Sequence, residues 1–242
     1  MSSEDEGGPN VGTDEEKGRG CPSVPEFYGR WAGLYDAIAT VPGVARWRRV
    51  AADRVARPGD TVVEMGCGSG ANLPHLRERV GPEGRVIGVD LTGPLLERAR
   101  RRAAPYANVA VVRGDATRPP VTADEVDAVL ATFVCGMFED PAVVVDDWGD
   151  LVGPGGRIAL MDMTATDDTR GRALNPLFSA FAAASAPGAG PLEVLRAPAS
   201  RFDSRLTRRV AASRESLVAR ATERRYETFA LGFVGLLSGR IE

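Results

Sequence analysis

Lysine and histidine are almost missing from this sequence: Lys17 and His75 are single occurrences, and arginine supplies the remaining basic charge. A lone histidine gives no histidine cluster for a metal, and no metal is expected. The formal net charge is -3 and the pI about 5.5. Arginines such as Arg98, Arg100, Arg101 and Arg102 fall on a predicted helix face and read as a solvated surface. No basic tract therefore marks a nucleic-acid partner. The three cysteines, Cys21, Cys67 and Cys135, are odd in number, and their spacing fits neither a zinc site nor a disulfide framework. That usage points to a reduced, cytoplasmic setting. No run approaches the roughly 18 apolar residues that span a bilayer. The opening Met1-Ser2-Ser3-Glu4-Asp5-Glu6 lacks the basic and apolar parts of a signal peptide.

What is present suits one ordinary globular domain, with 43% hydrophobic and 26% charged residues in a chain of 242. Residues 1–22 are rich in Gly, Asp, Glu and Ser, and are expected to be a disordered acidic tail. A single domain is expected over 23–242. Tyr28, Trp31, Leu34 and Tyr35 recur at helical spacing, and Pro42-Gly43 interrupts them. Val44, Trp47, Val50, Ala51 and Val55 then mark an amphipathic helix. Beyond it, short β-branched runs alternate with helical patterns. Strands are expected at 61–64, 85–90, 109–112, 126–132 and 157–161, with helices between them. Alternation of this kind implies an α/β, doubly wound, mostly parallel sheet. Residues 164–202, with Asn175-Pro176 and Pro187-Gly188-Ala189-Gly190-Pro191, break the pattern and read as a cap or insertion. A helix near 213–224 and strands in 226–229 and 233–237 close the chain.

The chemistry concentrates in Thr61-Val62-Val63-Glu64-Met65-Gly66-Cys67-Gly68-Ser69-Gly70. A buried strand ends in a carboxylate, and glycines then permit a tight turn and a close backbone approach to a ligand. Gly66, Gly68 and Ala71 satisfy a relaxed dinucleotide fingerprint. Glu64, however, would repel a pyrophosphate and suit a cationic amine. Asp90 ends the second strand, where a carboxylate can accept from ribose hydroxyls. Asp115 follows the third strand, where it can meet an adenine amino group. Three acidic strand ends with no compensating phosphate-binding cation describe an uncharged-sugar nucleoside with a positive tail.

At these residues the chain resembles the class I S-adenosylmethionine-dependent methyltransferases. Glu64–Gly70 resembles their first motif, Asp90 their acidic strand end, and Asp115 their adenine-contacting residue. Leu151-Val152-Gly153-Pro154-Gly155-Gly156 resembles their turn before strand five. The resemblance implies a Rossmann-like seven-stranded sheet with the last strand antiparallel, and S-adenosyl-L-methionine as cofactor. It places cofactor contacts at Glu64, Gly66, Cys67, Gly68, Gly70, Asn72, Asp90, Leu91, Asp115, Ala116 and Thr132. Tyr35-Asp36 with Asn72-Leu73-Pro74 resembles the small-molecule and lipid branch, which includes ubiquinone/menaquinone and phosphatidylethanolamine methyltransferases.

Methyl transfer from a sulfonium is an in-line displacement that needs alignment and exclusion of water rather than a metal or nucleophile. No catalytic residue is assigned. Tyr28 and Tyr35 before the first strand, and Phe133 and Met137 in the loop after the fourth, are the candidate acceptor contacts, and that loop's apolar lining suits an apolar or lipid/quinone-like acceptor. Cys135 reads as packing, and His75 as a surface or packing residue. Three readings of the cap stay open: a cover for that acceptor, a peripheral membrane contact, or a loop packed on the sheet. Two other functions compete: a nicotinamide-dependent Rossmann oxidoreductase, disfavoured by Glu64 and the Pro-Gly-Gly turn, and a non-catalytic S-adenosylmethionine-binding module.

Overall fold

A computed structural model describes residues 42–184 and 199–242. Thirteen principal elements follow in chain order: α1 (Pro42–Val55), β1 (Thr61–Met65), α2 (Leu73–Val80), β2 (Arg85–Asp90), α3 (Gly93–Ala103), β3 (Val109–Arg113), β4 (Ala128–Thr132), α4 (Pro141–Val152), β5 (Arg157–Met163), α5 (Asn175–Ala184), α6 (Ala199–Arg220), β6 (Ala221–Phe229) and β7 (Val234–Ile241). The seven strands form one sheet in the order β3-β2-β1-β4-β5-β7-β6. β7 runs antiparallel to both neighbours, and the pairs β3-β2, β2-β1, β1-β4 and β4-β5 are parallel. The reversal implied by the resemblance is therefore present.

Strand periodicity explains how both faces of this sheet are covered. Successive side chains point to opposite faces, so Val62, Ala128, Leu130, Ala159 and Met161 join one core with Ala51, Ala52 and Val55 of α1 and Leu73 and Leu76 of α2. Val63, Met65, Val129, Ala131, Ile158 and Leu160 join the other, with Trp148 of α4 and Leu217 of α6. The runs read as continuously hydrophobic because each strand is buried on both faces. Glu64 has the parity of Val62. It faces the α1/α2 side and is 1% exposed.

Helix ends place the strand termini. Asp140 Oδ1 accepts from the Val143 amide at 3.4 Å, Pro141 opens α4, and Gly153 at φ 64° closes it. Thr92 stands at the start of α3, as expected, but its hydroxyl makes no capping bond. The largest departure from the expected elements lies near the end of the chain. α6 begins at Ala199 and stops at Arg220, and Thr222, Glu223, Arg224 and Arg225 belong to β6. Its charged, solvent-facing residues imitate a helix surface. They are the residues an edge strand uses to resist pairing with another chain. A short 3₁₀ turn, Ala230–Gly232, joins β6 to β7, with Ala230 at φ 51° and Leu231 at φ 56°. So short a link can only join antiparallel neighbours. Among the described residues no helix is long and apolar enough to cross a membrane.

Gly70 fixes how closely the glycine loop packs on α3. Its φ is +79°, and a Cβ there would lie 2.8 Å from Leu73 Cδ1 and 2.9 Å from Ala99 Cα. A Cβ at Gly68, at φ +53°, would meet nothing within 4 Å. Gly70→Ala is expected to destabilise the fold by about 2–4 kcal/mol, through left-handed strain plus overpacking. Gly68→Ala should cost about 1–2 kcal/mol, from strain alone. Urea unfolding of both variants measures the difference.

Candidate functional site

The carboxyl ends of β1, β2, β3 and β4 lie side by side, which is where ligands enter open α/β sheets. Between β1 and α2 the loop turns through Gly66 (φ 67°), Gly68 (φ 53°) and Gly70 (φ 79°). It is fastened internally by Gly70 N to Cys67 O at 2.8 Å and by Cys67 N to Val89 O at 3.0 Å. Asp90 ties the loop to β2: its Oδ2 accepts from the Gly68 amide at 2.9 Å and its Oδ1 from the Thr92 amide at 2.8 Å. Each carboxylate oxygen keeps a further lone pair, so Asp90 can shape the loop and still accept from a ligand hydroxyl. Leu91, next in sequence, is 46% exposed and offers an apolar platform beside that carboxylate.

Cys67 is placed differently from the rest of the loop. Its side chain is buried, and a Cβ built on Gly88 would lie 2.9 Å from its Sγ. It belongs to the frame of the loop rather than to its open face. Burial raises its thiol well above the ordinary range, with Glu64 and Asp90 adding to that effect.

Behind the loop lies a buried polar cluster. Asn72 Nδ2 donates to Glu64 Oε1 at 2.5 Å and to Thr132 Oγ1 at 3.0 Å. Arg48, from α1, donates through Nη1 to the same Thr132 oxygen at 3.3 Å. Glu64 Oε2, Asn72 Oδ1 and Arg48 Nε are buried without a hydrogen-bond partner. Burial pushes the Glu64 carboxyl up to about 7, against the opposing pull of Asn72 and Arg48. Burial likewise lowers the Arg48 guanidinium. The unmet oxygens on Glu64 and Asn72 fit a cationic N–H donor, which is what the methionyl ammonium of S-adenosylmethionine presents.

The neighbouring strand ends differ in exposure. Asp115 is exposed and turns back on itself, its Oδ1 accepting from the Thr117 amide at 2.9 Å. Ala116 is buried, its carbonyl held by the Trp148 indole at 2.8 Å. After β4, Phe133 takes a left-handed φ of 59° and lies under the Arg48 guanidinium, 5.5 Å from ring centroid to Cζ. Strain of this kind persists where the surroundings over-determine it. Met137 is 41% exposed on the turn that follows. Tyr28, Trp31 and Tyr35 lie outside the described residues, as does the tail over 1–22.

Glu64, Asn72, Thr132 and Phe133 thus come together, Gly68 and Asp90 adjoin them, and Asp115 and Ala116 stand at the end of β3. Two features were missed. The first is a pair of arginines: Arg48 sits within the cluster, and Arg102 donates through Nη1 to Ser69 O at 2.7 Å and Ser69 Oγ at 2.8 Å. Helical spacing could have found Arg48, since it shares an inward face with Ala52 and Val55, four and seven residues on. The second is Asp162, 2% exposed at the end of β5 with Oδ2 unpartnered. Burial raises its carboxyl to about 6, opposed by Arg214 and Cys135. Parity with Ile158 and Leu160 puts it on the sheet face opposite Glu64. No sequence pattern marks it.

Comparison with known proteins agrees with this geometry. Residues 62–156 match the model of a methyltransferase domain family. Nocamycin O-methyltransferase of Saccharothrix syringae is 37% identical over 156 residues, covering 62% of this chain and 54% of that protein. Demethylmenaquinone methyltransferase of Deinococcus radiodurans is 32% identical over 159 residues, covering 64% of each. The chain therefore spans about half to two thirds of the length of these curated relatives. A solved S-adenosylmethionine-dependent methyltransferase of Thermotoga maritima superposes with a TM-score of 0.60 at 16% identity, over 89% of this chain and 98% of that one. Residues 62–156 thus match a methyltransferase domain, and the fold is that of solved S-adenosylmethionine-dependent methyltransferases.

The buried carboxyl of Glu64 has a pH signature. Its folded value is raised from 4.5 to about 7. Between those values the folded protein keeps a proton that the unfolded chain has released, so stability falls as pH rises. The contribution is fully present below about pH 4.5 and lost on passing through about 7. Asp162, raised from 3.8 to about 6, acts in the same sense. Urea midpoints of the ligand-free protein are expected to fall from pH 5 to pH 8. Glu64→Gln should flatten that fall and be the more stable protein at the upper end.

Proposed function

We propose that this methyltransferase domain transfers the methyl group of S-adenosylmethionine to a small, apolar, quinone-like acceptor by in-line displacement. The observation that carries the donor half is the pair of unpartnered buried oxygens on Glu64 and Asn72 behind the glycine loop. An acidic, buried wall there accommodates a cationic amine and opposes a pyrophosphate, which argues against a nicotinamide cofactor. In this reading Glu64 and Asn72 accept from the ammonium, Asp90 from the ribose hydroxyls and Asp115 from the adenine amino group. Leu91 packs against the base, and the backbone from Gly66 to Gly70 allows the close approach.

When bound, the sulfonium supplies an activated methyl group and leaves as a neutral thioether. The chain has to align the acceptor with it and exclude water. Phe133 and Met137 form an apolar lip at the carboxyl end of β4. Around the same edge, Leu174 is 44% exposed and Leu177, on α5, 70% exposed. This apolar rim supports an acceptor with a hydrophobic body, and the likeness to a demethylmenaquinone methyltransferase points the same way.

Calorimetric titration should show S-adenosylmethionine binding and no heat with NAD; binding of NAD alone would overturn the donor assignment. Label from methyl-labelled S-adenosylmethionine should enter a quinone-containing lipid extract of the source organism and not a polar extract. The reverse partition would sink the acceptor class. Leu177→Asp is expected to lower turnover of an apolar acceptor by about tenfold, one buried contact's worth, and to leave S-adenosylmethionine affinity unchanged.

A further inference from the structure

A second buried polar group lies on the face of the sheet opposite Glu64, under the turn that follows β4. Asp162 is 2% exposed at the end of β5, and its Oδ2 has no hydrogen-bond partner. Burial raises its carboxyl to about 6, and the Arg214 guanidinium of α6 and the thiol and amide of Cys135 oppose that rise. The fold makes room for the guanidinium. Gly235 of β7 pairs with Asp162, and a Cβ there would lie 2.6 Å from Arg214 Nη2. Arg214 crosses at that glycine, donating through Nη2 to its carbonyl at 3.4 Å and through Nη1 to the Tyr226 hydroxyl of β6 at 3.3 Å. Its Nε is buried without a partner. Apolar side chains would cost less here. Ile158 and Leu160 precede Asp162 on the same face, and a third apolar residue would extend their row.

The same helix grips the turn from outside. Cys135–Met137 form one turn of 3₁₀ helix, closed by the Met137 amide donating to Val134 O at 2.9 Å. The first amides of a helical turn have no partner within it, and Cys135 directs its own toward Asp162. On the other side, Arg209 donates through Nη1 to Gly136 O at 3.3 Å, and a Cβ on Gly136 would strike Leu206 Cδ1. The turn is therefore clamped between the end of β5 and α6. We propose that Asp162 is a positioning residue for methyl transfer: its carboxylate, paired with Arg214, fixes the turn between Phe133 and Met137 and with it the place of the acceptor. This rests on the acceptor meeting that turn, as proposed above. It goes further in assigning alignment to a charge that touches neither donor nor acceptor.

The ionised carboxyl tightens the turn, although burying the charge weakens the fold as a whole. Those opposite signs separate positioning from a purely structural part. Hydrogen exchange and urea unfolding of Asp162→Asn are compared with wild type. At about pH 8 the variant's amides over 134–137 should exchange about tenfold faster, the loss of a hydrogen bond to a charged group. Its urea midpoint there should be unchanged or higher. The excess exchange should vanish at about pH 5, where the wild-type carboxyl is protonated. Cys135 and Arg214 face Asp162 from the neighbouring elements, with Ser213 and Tyr226 behind them. Burial holds the Cys135 thiol well above its ordinary range, so the step belongs to Asp162. Methyl transfer to reduced menadione should fall about tenfold in kcat/KM, with S-adenosylhomocysteine affinity kept within about twofold. Equal exchange at the turn, or an excess that persists at about pH 5, overturns the proposal. So does faster exchange with undiminished methyl transfer. If the Asn variant does not fold, Arg214→Gln carries the test: losing the cation moves the step in turn exchange to higher pH, and an unmoved step overturns the proposal. If the wild-type protein methylates no quinol, the quinone-like reading falls by itself, and the exchange step still decides the role of Asp162.

Discussion

A carboxyl group held out of water at the end of β1 constrains everything near it. Glu64 is 1% exposed, and an isolated buried carboxylate is among the most costly groups a fold can carry. Each neighbour answers that cost. Asn72 opens α2 directly behind the loop and donates to Oε1. Arg48 supplies a positive charge from α1, and it and Asn72 share Thr132 at the end of β4. Three elements distant in sequence are thereby fastened to one carboxyl group. What they leave unmet is one guanidinium nitrogen and two acceptor oxygens, so the cluster stays open. A structural pair would be expected to close on itself.

The glycine loop is the second constraint, and its glycines have separate reasons. A Cβ at Gly66 would lie 2.7 Å from Val134 Cγ2, and one at Gly70 would strike Leu73 and Ala99. These two bring the loop down onto the turn after β4 and onto α3. Gly68 has open space above it, and its amide is held by Asp90. The backbone at Gly68 is therefore the part left free to approach a ligand. Asp90 holds it from the adjoining strand, so the acidic end of β2 sets the geometry of the loop.

The sheet, and the glycine loop and acidic strand ends grouped at its carboxyl edge, were legible in sequence because they rest on local patterns. Strands buried on both faces announce themselves as β-branched runs, and the turns carry obligatory glycines and prolines. The acidic strand ends stand out against apolar neighbours. What could not be read depends on contacts between distant residues. Arg48 lies 84 positions from the Thr132 oxygen it reaches, in a helix whose other arginines, such as Arg46 and Arg49, are exposed. Helical spacing puts Arg48 in line with Ala52 and Val55, but nothing in the sequence says what it reaches until the helix is docked. The first part of β6 was misread for a different reason. Ala221-Thr222-Glu223-Arg224-Arg225-Tyr226 is charged like a helix surface, and only its position at the sheet edge makes that composition sensible. The reversal of β7 follows from its short link to β6, not from any periodicity.

Thr132 is the point where the two halves of the proposed site meet. Its backbone ends the central strand β4, paired to Met161 of β5. Its hydroxyl accepts from Asn72 on the donor side and from Arg48, which covers Phe133 on the acceptor side. Phe133 follows at once in a left-handed conformation, with its amide donating to the Met161 carbonyl at 2.7 Å. An in-line displacement needs donor and acceptor held to a fraction of an ångström. Here the residues that would hold each partner are consecutive on one rigid strand end and share one guanidinium. Alignment then follows from the sheet itself. Acceptor choice can change with the less regular segments around the rim, Met137 and the Leu174–Leu177 stretch, without disturbing the donor's place.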